Sequence, residues 1–366
     1  MAHGSLVYLA YTEGARAVVT PTLTGLAAAA AARPYGARMT VRDMVAKQTR
    51  VERQEAPDCA SVSFDSGAAN AFQSYVRQAL NFSVARCGDL YGVVEADGSV
   101  KVHAVFEPPQ QGSVAGVTLQ RDAAEEERVA FIAQRLGLSK VGWIFSPSTA
   151  VARDVVLTSS EILAMAERQA AGGEHFVTAV ASLVSDEEGT LSVHFEAFQC
   201  SRQAVQLFSD GWLVPGEDAA FVATNMAKDV VIVAGRDMRR IENEFLITTV
   251  PIKDHTGPLA TGFPVENRLT GQTVDELRGV LNSRKSTPFA QRIADFHLLL
   301  FLASRLDLKT DMGALCDAVR TGACADFFLI ECVFVIFPSH TNGVSRAGGE
   351  VSEGYCLLIN SIAGIH

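Results

Sequence analysis

The sequence lacks any cysteine or histidine spacing that would hold a metal. Its seven cysteines (Cys59, Cys87, Cys200, Cys316, Cys324, Cys332 and Cys356) are odd in number, scattered, and include no C-x-x-C pair. That distribution argues against a disulfide framework and against a zinc finger, and it fits a reducing compartment. The eight histidines form no H-x-H and no H-E-x-x-H. A long apolar run is also absent. The most apolar stretch, residues 327–337, falls short of the roughly 20 residues of a membrane helix. A buried strand or helix is expected there, and no membrane insertion. Met1-Ala-His-Gly offers neither the basic start nor the long apolar run of a signal peptide, so none is expected. There is no block of positive charge either. Lys and Arg number 31 against 41 Asp and Glu, a formal charge of −10. Nothing offsets the counterion cost of a phosphate backbone, so no nucleic acid is expected and a neutral or basic partner fits better.

What is present is an ordinary folded composition, 48% hydrophobic and 20% charged over 366 residues, enough for two or three domains. Residues 39–55 read as a helix capped by Thr40 that stops before Pro57. Phe72, Tyr75, Val76 and Ala79 stand at helical spacing and predict an amphipathic helix over residues 70–80. Strands at 83–94 and 100–106 flank Asp97-Gly98, a strong hairpin signal. Asp122 caps a helix whose apolar face is Val129, Ile132, Ala133 and Leu136, ended by Gly137. Its Glu125, Glu126 and Glu127 complement the helix dipole and are not read as a metal cluster. Two more strands are expected at 175–184 and 190–198, with His194 as a packed or edge residue. Residues 211–229 read as loose, and 230–233 and 245–252 as strands. Thr273 caps a helix, and residues 289–306 read as one helix, apolar nearly all round and buried.

The chain is organised around residues 141–161, VGWIFSPSTAVARDVVLTSSE. They divide into a strand, a loop with Pro147, and a helix opened by the capping box Thr158-Ser-Ser-Glu161. This strand–loop–helix resembles the core of the MPN (JAMM-type) fold with its zinc site erased. Metal-bearing members carry Gly-Trp-Tyr-His-Ser-His-Pro, then Ser-x-x-Asp, with a glutamate on an earlier strand. Phe145 and Pro147 fall at the two histidines, Ala85 at the glutamate and Glu161 at the aspartate, while Ser159 is still a serine. A hydrolytic zinc needs about three protein ligands and an open position for water. Phenyl, pyrrolidine and methyl groups have no lone pair to give, and Glu161 reads as a capping carboxylate. No metal, no cofactor and no catalytic residue are expected.

Further stretches resemble the nuclear protein localisation 4 (Npl4) family, particularly its plant-type branch. They are residues 39–55 with Pro57-Asp-Cys-Ala-Ser-Val-Ser-Phe64, Phe106-Glu-Pro-Pro-Gln-Gln-Gly112, Val193-His-Phe-Glu-Ala-Phe-Gln199, Gly262-Phe-Pro-Val-Glu-Asn-Arg268, and Asp295-Phe-His-Leu-Leu-Leu-Phe-Leu302. The resemblance implies an α+β chain. A remnant of a ubiquitin-like domain would occupy 1–20, a linker 21–38 and a groove-lining segment 39–56. An inactive MPN domain, a mixed sheet flanked by helices, would occupy 57–250. A mainly helical C-terminal domain would follow at 251–366, interrupted by an atypical, β-prone insertion at 325–350. It further implies a non-catalytic cofactor that binds polyubiquitin, pairs with a ubiquitin-fusion-degradation subunit, and serves a Cdc48-type AAA unfoldase. The implied setting is ubiquitin-dependent degradation, ER-associated degradation included, in cytoplasm and nucleus and at the periphery of the ER membrane. Direct docking to the unfoldase is not implied, because only the last strand of the ubiquitin-like domain and no cysteine-rich zinc module is legible.

A groove for an extended chain needs backbone partners, apolar pockets and few fixed charges. The expected lining residues are Arg50, Glu52, Arg53, Trp143, Phe263, Glu266, Asn267 and Arg268. Trp143, beside Gly142 on a central strand, reads more readily as core, and Arg268 equally as an ion-pair partner of Glu266. Three rival functions stand beside this one: a zinc-dependent deubiquitinase, a cysteine hydrolase using Cys59 or Cys87, and an MPN scaffold subunit that makes no ubiquitin contact.

Overall fold

The computed structural model describes residues 48–150, 153–185, 190–321 and 353–365. The expected ubiquitin-like remnant, the linker, residues 39–47 of the groove segment and the 325–350 insertion lie outside them. Contacts divide the chain into two compact units. The first comprises Arg153–Ala170, Cys200–Thr248 and the described part of Met1–Glu55. The second comprises Ala56–Ala152, Ala171–Gln199 and Thr249–His366 in its described parts. These units cut across the boundary expected at residue 250.

In the second unit seven strands of an eight-stranded sheet are β1 (Val62–Asp65), β2 (Arg86–Val94), β3 (Val100–Phe106), β4 (Ser139–Ser146), β5 (Val177–Ser185), β6 (Leu191–Cys200) and β7 (Ile252–His255). Neighbours run β6-β5-β4-β2-β3-β1-β7. The sheet is mixed, and the chain is α+β. β2 lies antiparallel to β3 and β4, while β4–β5, β1–β3 and β1–β7 are parallel. The β2–β3 hairpin closes at Gly98 with φ 77°, a left-handed turn position that glycine takes without a Cβ clash.

Each face of the sheet is covered, the two-layer solution that apolar strands require. On one face, helix α1 (Ser66–Ser74) and the π-helical turn Tyr75–Ala79 bury Phe72 and Val76 against Val62, Phe64, Leu90, Val102 and Ile144. On the other, Ala104 and Phe106 meet Val129 and Ile132 of α2 (Ala123–Leu136) and a group of C-terminal helices. Those are α3 (Val274–Ser283), α4 (Phe296–Ala303), α5 (Asp311–Thr321) and α6 (Glu353–Ile362). The caps read from the sequence are formed: Asp122 accepts from the Ala124 and Glu125 amides, Gly137 ends α2 at φ 77°, and Thr273 and Glu276 close a capping box.

One helix expected at 289–306 is two. A short turn, Phe289–Arg292, stops before Asp295, whose carboxylate accepts from the His297 and Leu298 amides and starts α4 afresh. Every residue of α4 is buried, as expected.

In the first unit, Thr49–Val51 is a strand parallel to Val231–Val233, which runs antiparallel to Arg236–Met238. The helix expected at 39–55 therefore ends, where it is described, as a strand. Pairing of Val51 with Val233 overrides local helix propensity. Residues 211–229 are not loose either. Leu213–Val214, Phe221–Thr224 and Arg240–Glu242 form a second three-stranded sheet. Helices Ser159–Gly172 and Arg202–Ser209 complete the unit.

Candidate functional site

Of the positions that the resemblance sets at the zinc ligands, Ala85, Phe145 and Pro147 carry side chains with no donor atom. In the second unit Ala85, Phe145 and Pro147 are all buried, Phe145 with no exposed surface. The Phe145 ring stacks on Trp143 at 4.9 Å, in β4 opposite Cys87 of β2. In the first unit both oxygens of Glu161, which is 1% exposed, are engaged. Oε2 accepts from the Thr158 amide at 2.8 Å, and the Glu161 amide donates back to the Thr158 hydroxyl at 3.3 Å, which is the expected capping box. Arg153 adds a bidentate ion pair, 2.9 Å to Oε1 and 2.5 Å to Oε2. No local spacing rule joins a loop arginine to a cap glutamate, so this partner was not legible. Ser159, 3% exposed, is the one remaining neutral oxygen. Neither group of positions by itself offers the roughly three ligands that a hydrolytic zinc needs. The cysteine-hydrolase alternative meets a similar obstacle. Cys59 is fully buried and its thiol donates to the Ser61 carbonyl, and burial pushes its pKa up to about 11. A nucleophile needs the thiolate.

The expected groove residues fall into three settings. Arg50, Glu52 and Arg53 are exposed in the first unit. Their backbone is held by the side chain of Gln203, which donates to the Arg50 carbonyl and accepts from the Glu52 amide. Gln54 Oε1 takes the Arg202 amide at 2.8 Å. The segment is thus fixed from the backbone while its charged side chains point away, Arg53 making only a 3.8 Å surface pair with Glu244. Trp143 is core: 2% exposed, with its indole N–H donated to Thr178 Oγ1 at 2.8 Å. Phe263 is 4% exposed and packs on the Phe301 ring at 5.2 Å. Neither presents a ring to a bound chain.

Glu266 and Arg268 belong to a largely buried polar frame in the second unit, with the exposed Asn267 at its edge. Glu107, just after β3, is fully buried. Arg86 meets its Oε2 at 2.7 Å and Arg268 its Oε1 at 2.5 Å. The two guanidinium groups also flank the Tyr75 ring, at 5.4 and 4.4 Å from its centroid. The Arg268–Glu266 pair offered by adjacency does not form. Glu266 pairs instead with the buried His297, Oε2 to Nδ1 at 2.7 Å. Burial pulls the His297 pKa down, but the charge and hydrogen bond of Glu266, with Asp295 nearby, outweigh it and raise it above 6.5. Asn267 sits at φ 58°, a left-handed conformation that asparagine tolerates. There its amide bridges the Glu107 carbonyl and Glu125 Oε1, each at 3.0 Å. Asp295, besides capping α4, accepts from the Gly262 and Phe263 amides at 2.7 and 2.9 Å. Residues 262–268 are therefore rigid. Arg86, Glu107, Asp295 and His297 show no site pattern in the sequence, because three separate segments contribute them and no spacing records the meeting.

A cleft of about 270 Å³ opens beside this frame, between Glu125 and Arg128 of α2, Glu266 and Asn267, and Phe301 and Arg305 at the end of α4. Among the described residues no group of three His, Cys, Asp or Glu side chains is arranged to hold a metal ion.

Comparison with known proteins agrees with this architecture. The NPL4 family profile matches residues 91–159. NPL4-like protein 1 of Arabidopsis thaliana is 41% identical over 369 residues, covering 99% of this chain and 81% of that protein. The NPL4-like protein of Oryza sativa subsp. japonica is 40% identical over 372 residues, covering 100% and 82%. More distantly, the nuclear protein localization protein 4 homolog of Dictyostelium discoideum is 30% identical over 276 residues, 74% of this chain and 46% of that protein. Similarity at this level along almost all of the chain and four-fifths of the plant proteins means that the chain belongs to the NPL4 family.

Proposed function

We propose that this protein is a non-catalytic, ubiquitin-binding cofactor that recruits substrates to a Cdc48-type AAA unfoldase for ubiquitin-dependent degradation, ER-associated degradation included. The observation that carries the proposal is chemical. The chain keeps its family likeness from end to end while Ala85, Phe145 and Pro147 fill the positions where an MPN hydrolase keeps its zinc ligands. Such a protein grips a chain and does not cut it. Arg50, Glu52 and Arg53, exposed on a strand pinned by Gln203, supply a surface that keeps its shape on binding. The partner subunit is of the ubiquitin-fusion-degradation type. Action in cytoplasm and nucleus, and peripherally at the ER membrane, accords with the described residues, where no helix is long and apolar enough to cross a membrane.

The test is retention of polyubiquitin on the purified chain, compared with Arg50→Glu/Arg53→Glu. The double variant is expected to lose most retention at an unchanged melting temperature. Undiminished retention removes these residues from the groove. Stoichiometric zinc with cleavage of a ubiquitin dimer defeats the proposal outright, and co-purification of a complex without polyubiquitin favours a scaffold.

A further inference from the structure

The cleft beside the Gly262–Arg268 frame is lined by two carboxylates, Glu125 and Glu266, and two arginines, Arg128 and Arg305. Its carboxylates are already engaged. Glu266 gives Oε2 to His297 and Oε1 to the Glu107 amide at 3.3 Å, and Glu125 gives Oε1 to Asn267. Gln272 donates to the Pro264 carbonyl at 2.7 Å. Arg305 is different. It lines the cleft with Arg128, whose charge already acts on Glu125, and it makes no ion pair among the described residues. Arg305 is moreover held in one orientation. Its guanidinium lies 3.6 Å from the Phe301 ring centroid, and Nη1 donates to the Phe301 carbonyl at 3.0 Å and to Ser304 Oγ at 2.6 Å. That leaves the Nε–Nη2 edge without an acceptor among the described residues. A stacked guanidinium with two parallel donors on one edge is the geometry that takes a carboxylate bidentately.

Size and charge narrow the ligand further. A volume of about 270 Å³ lies just under the roughly 300–1,000 Å³ typical of whole small-molecule sites, and suits one side chain with its adjoining backbone. Glu125 and Glu266 line the cleft together with Arg128 and Arg305, so a singly charged carboxylate meets less repulsion there than a phosphate dianion. We propose that this cleft receives an aspartate or glutamate side chain from an extended polypeptide, with Arg305 as the bidentate partner and Arg128 as the second cation. Leu300 and Phe301 contact the methylenes of that side chain. Carboxylate capture stands apart from ubiquitin binding, because any exposed acidic segment satisfies it.

The full chain, nitrogen-15 labelled, is titrated with a terminally blocked Ala-Ala-Glu-Ala-Ala peptide and with counterparts carrying Gln or Lys at the centre. Arginine Nε–H resonances and isothermal calorimetry report binding. The Glu peptide is expected to shift the Arg305 resonance and to bind at least tenfold tighter than the Gln peptide. Arg305→Gln should abolish that advantage, and Arg305→Lys, which keeps the charge but not the planar edge, should restore only part of it. Arg128→Gln is a second variant on a different helix, and unchanged melting temperatures show that both variants fold. Equal binding of the Glu and Gln peptides, preference for Lys, or a preference that survives Arg305→Gln overturns the assignment. Binding of free acetate as tight as that of the Glu peptide overturns it too, since a polypeptide then contributes nothing. The peptides contain no ubiquitin, so loss of polyubiquitin retention and loss of carboxylate binding are separable results.

Discussion

Arginine does opposite work in the two units. Arg86 and Arg268 in the second are 7% and 13% exposed at their side chains and close on a carboxylate with no exposed surface. Arg50 and Arg53 in the first stand in solvent, and the strand that carries them is fixed through its backbone instead. A charge taken out of water is tolerable only when paired and hydrogen-bonded, so the buried arginines are committed to the fold. The exposed pair costs the fold nothing and remains free to meet a partner. Burial, rather than residue type, separates framework from contact surface in this molecule.

The sharpest way to break that contrast is to remove the shared counter-ion. Glu107→Ala leaves two guanidinium groups buried and unpaired, and a loss of about 3–5 kcal/mol in urea unfolding is expected. A loss below about 1 kcal/mol would mean that the frame holds without it. Next in size is the Glu266–His297 pair. Because the folded pKa of His297 is raised, its contribution is complete below the ordinary value of 6.5 and disappears as pH rises through the folded value. Wild-type stability should therefore fall on this account as pH climbs above 6.5, and Glu266→Gln should flatten the profile, at a cost of about 2 kcal/mol near pH 6. A third substitution probes the first unit. Thr158→Ala removes half of the capping box and should cost about 1 kcal/mol. Smallest is Arg50→Glu/Arg53→Glu, expected to stay within about 0.5 kcal/mol by thermal melting while polyubiquitin retention drops. A large stability loss there would place these side chains with the framework.

Much of the fold could be read from local chemistry. Asp97-Gly98, the Asp122 and Thr273 caps, the Gly137 stop and the 158–161 capping box all formed, since each is complete within a few residues. Longer-range features were not available to such signals. β7 pairs with β1 across nearly two hundred residues of sequence, so no window holds both partners. The short strands at 213–214, 221–224 and 240–242 have too few residues to show alternation. The break before α4 was legible in principle, because Asp295 ahead of an apolar run is an N-cap signal, yet continuous hydrophobicity hid it. The site divides similarly. That Ala85, Phe145 and Pro147 have no donor atom could be seen directly, whereas the Glu107 frame draws charges from distant segments, each ordinary in its own context.

The deep thiols have a practical consequence. Burial raises the pKa of Cys200 and Cys316 to about 12, as it does that of Cys59 to about 11, and each of the three is sealed from solvent. At neutral pH almost none of their sulfur is ionised, and peroxide or an alkylating reagent reaches ionised sulfur first. These three positions should therefore stay silent under oxidative stress, and any modification found on them would report that the surrounding core had opened.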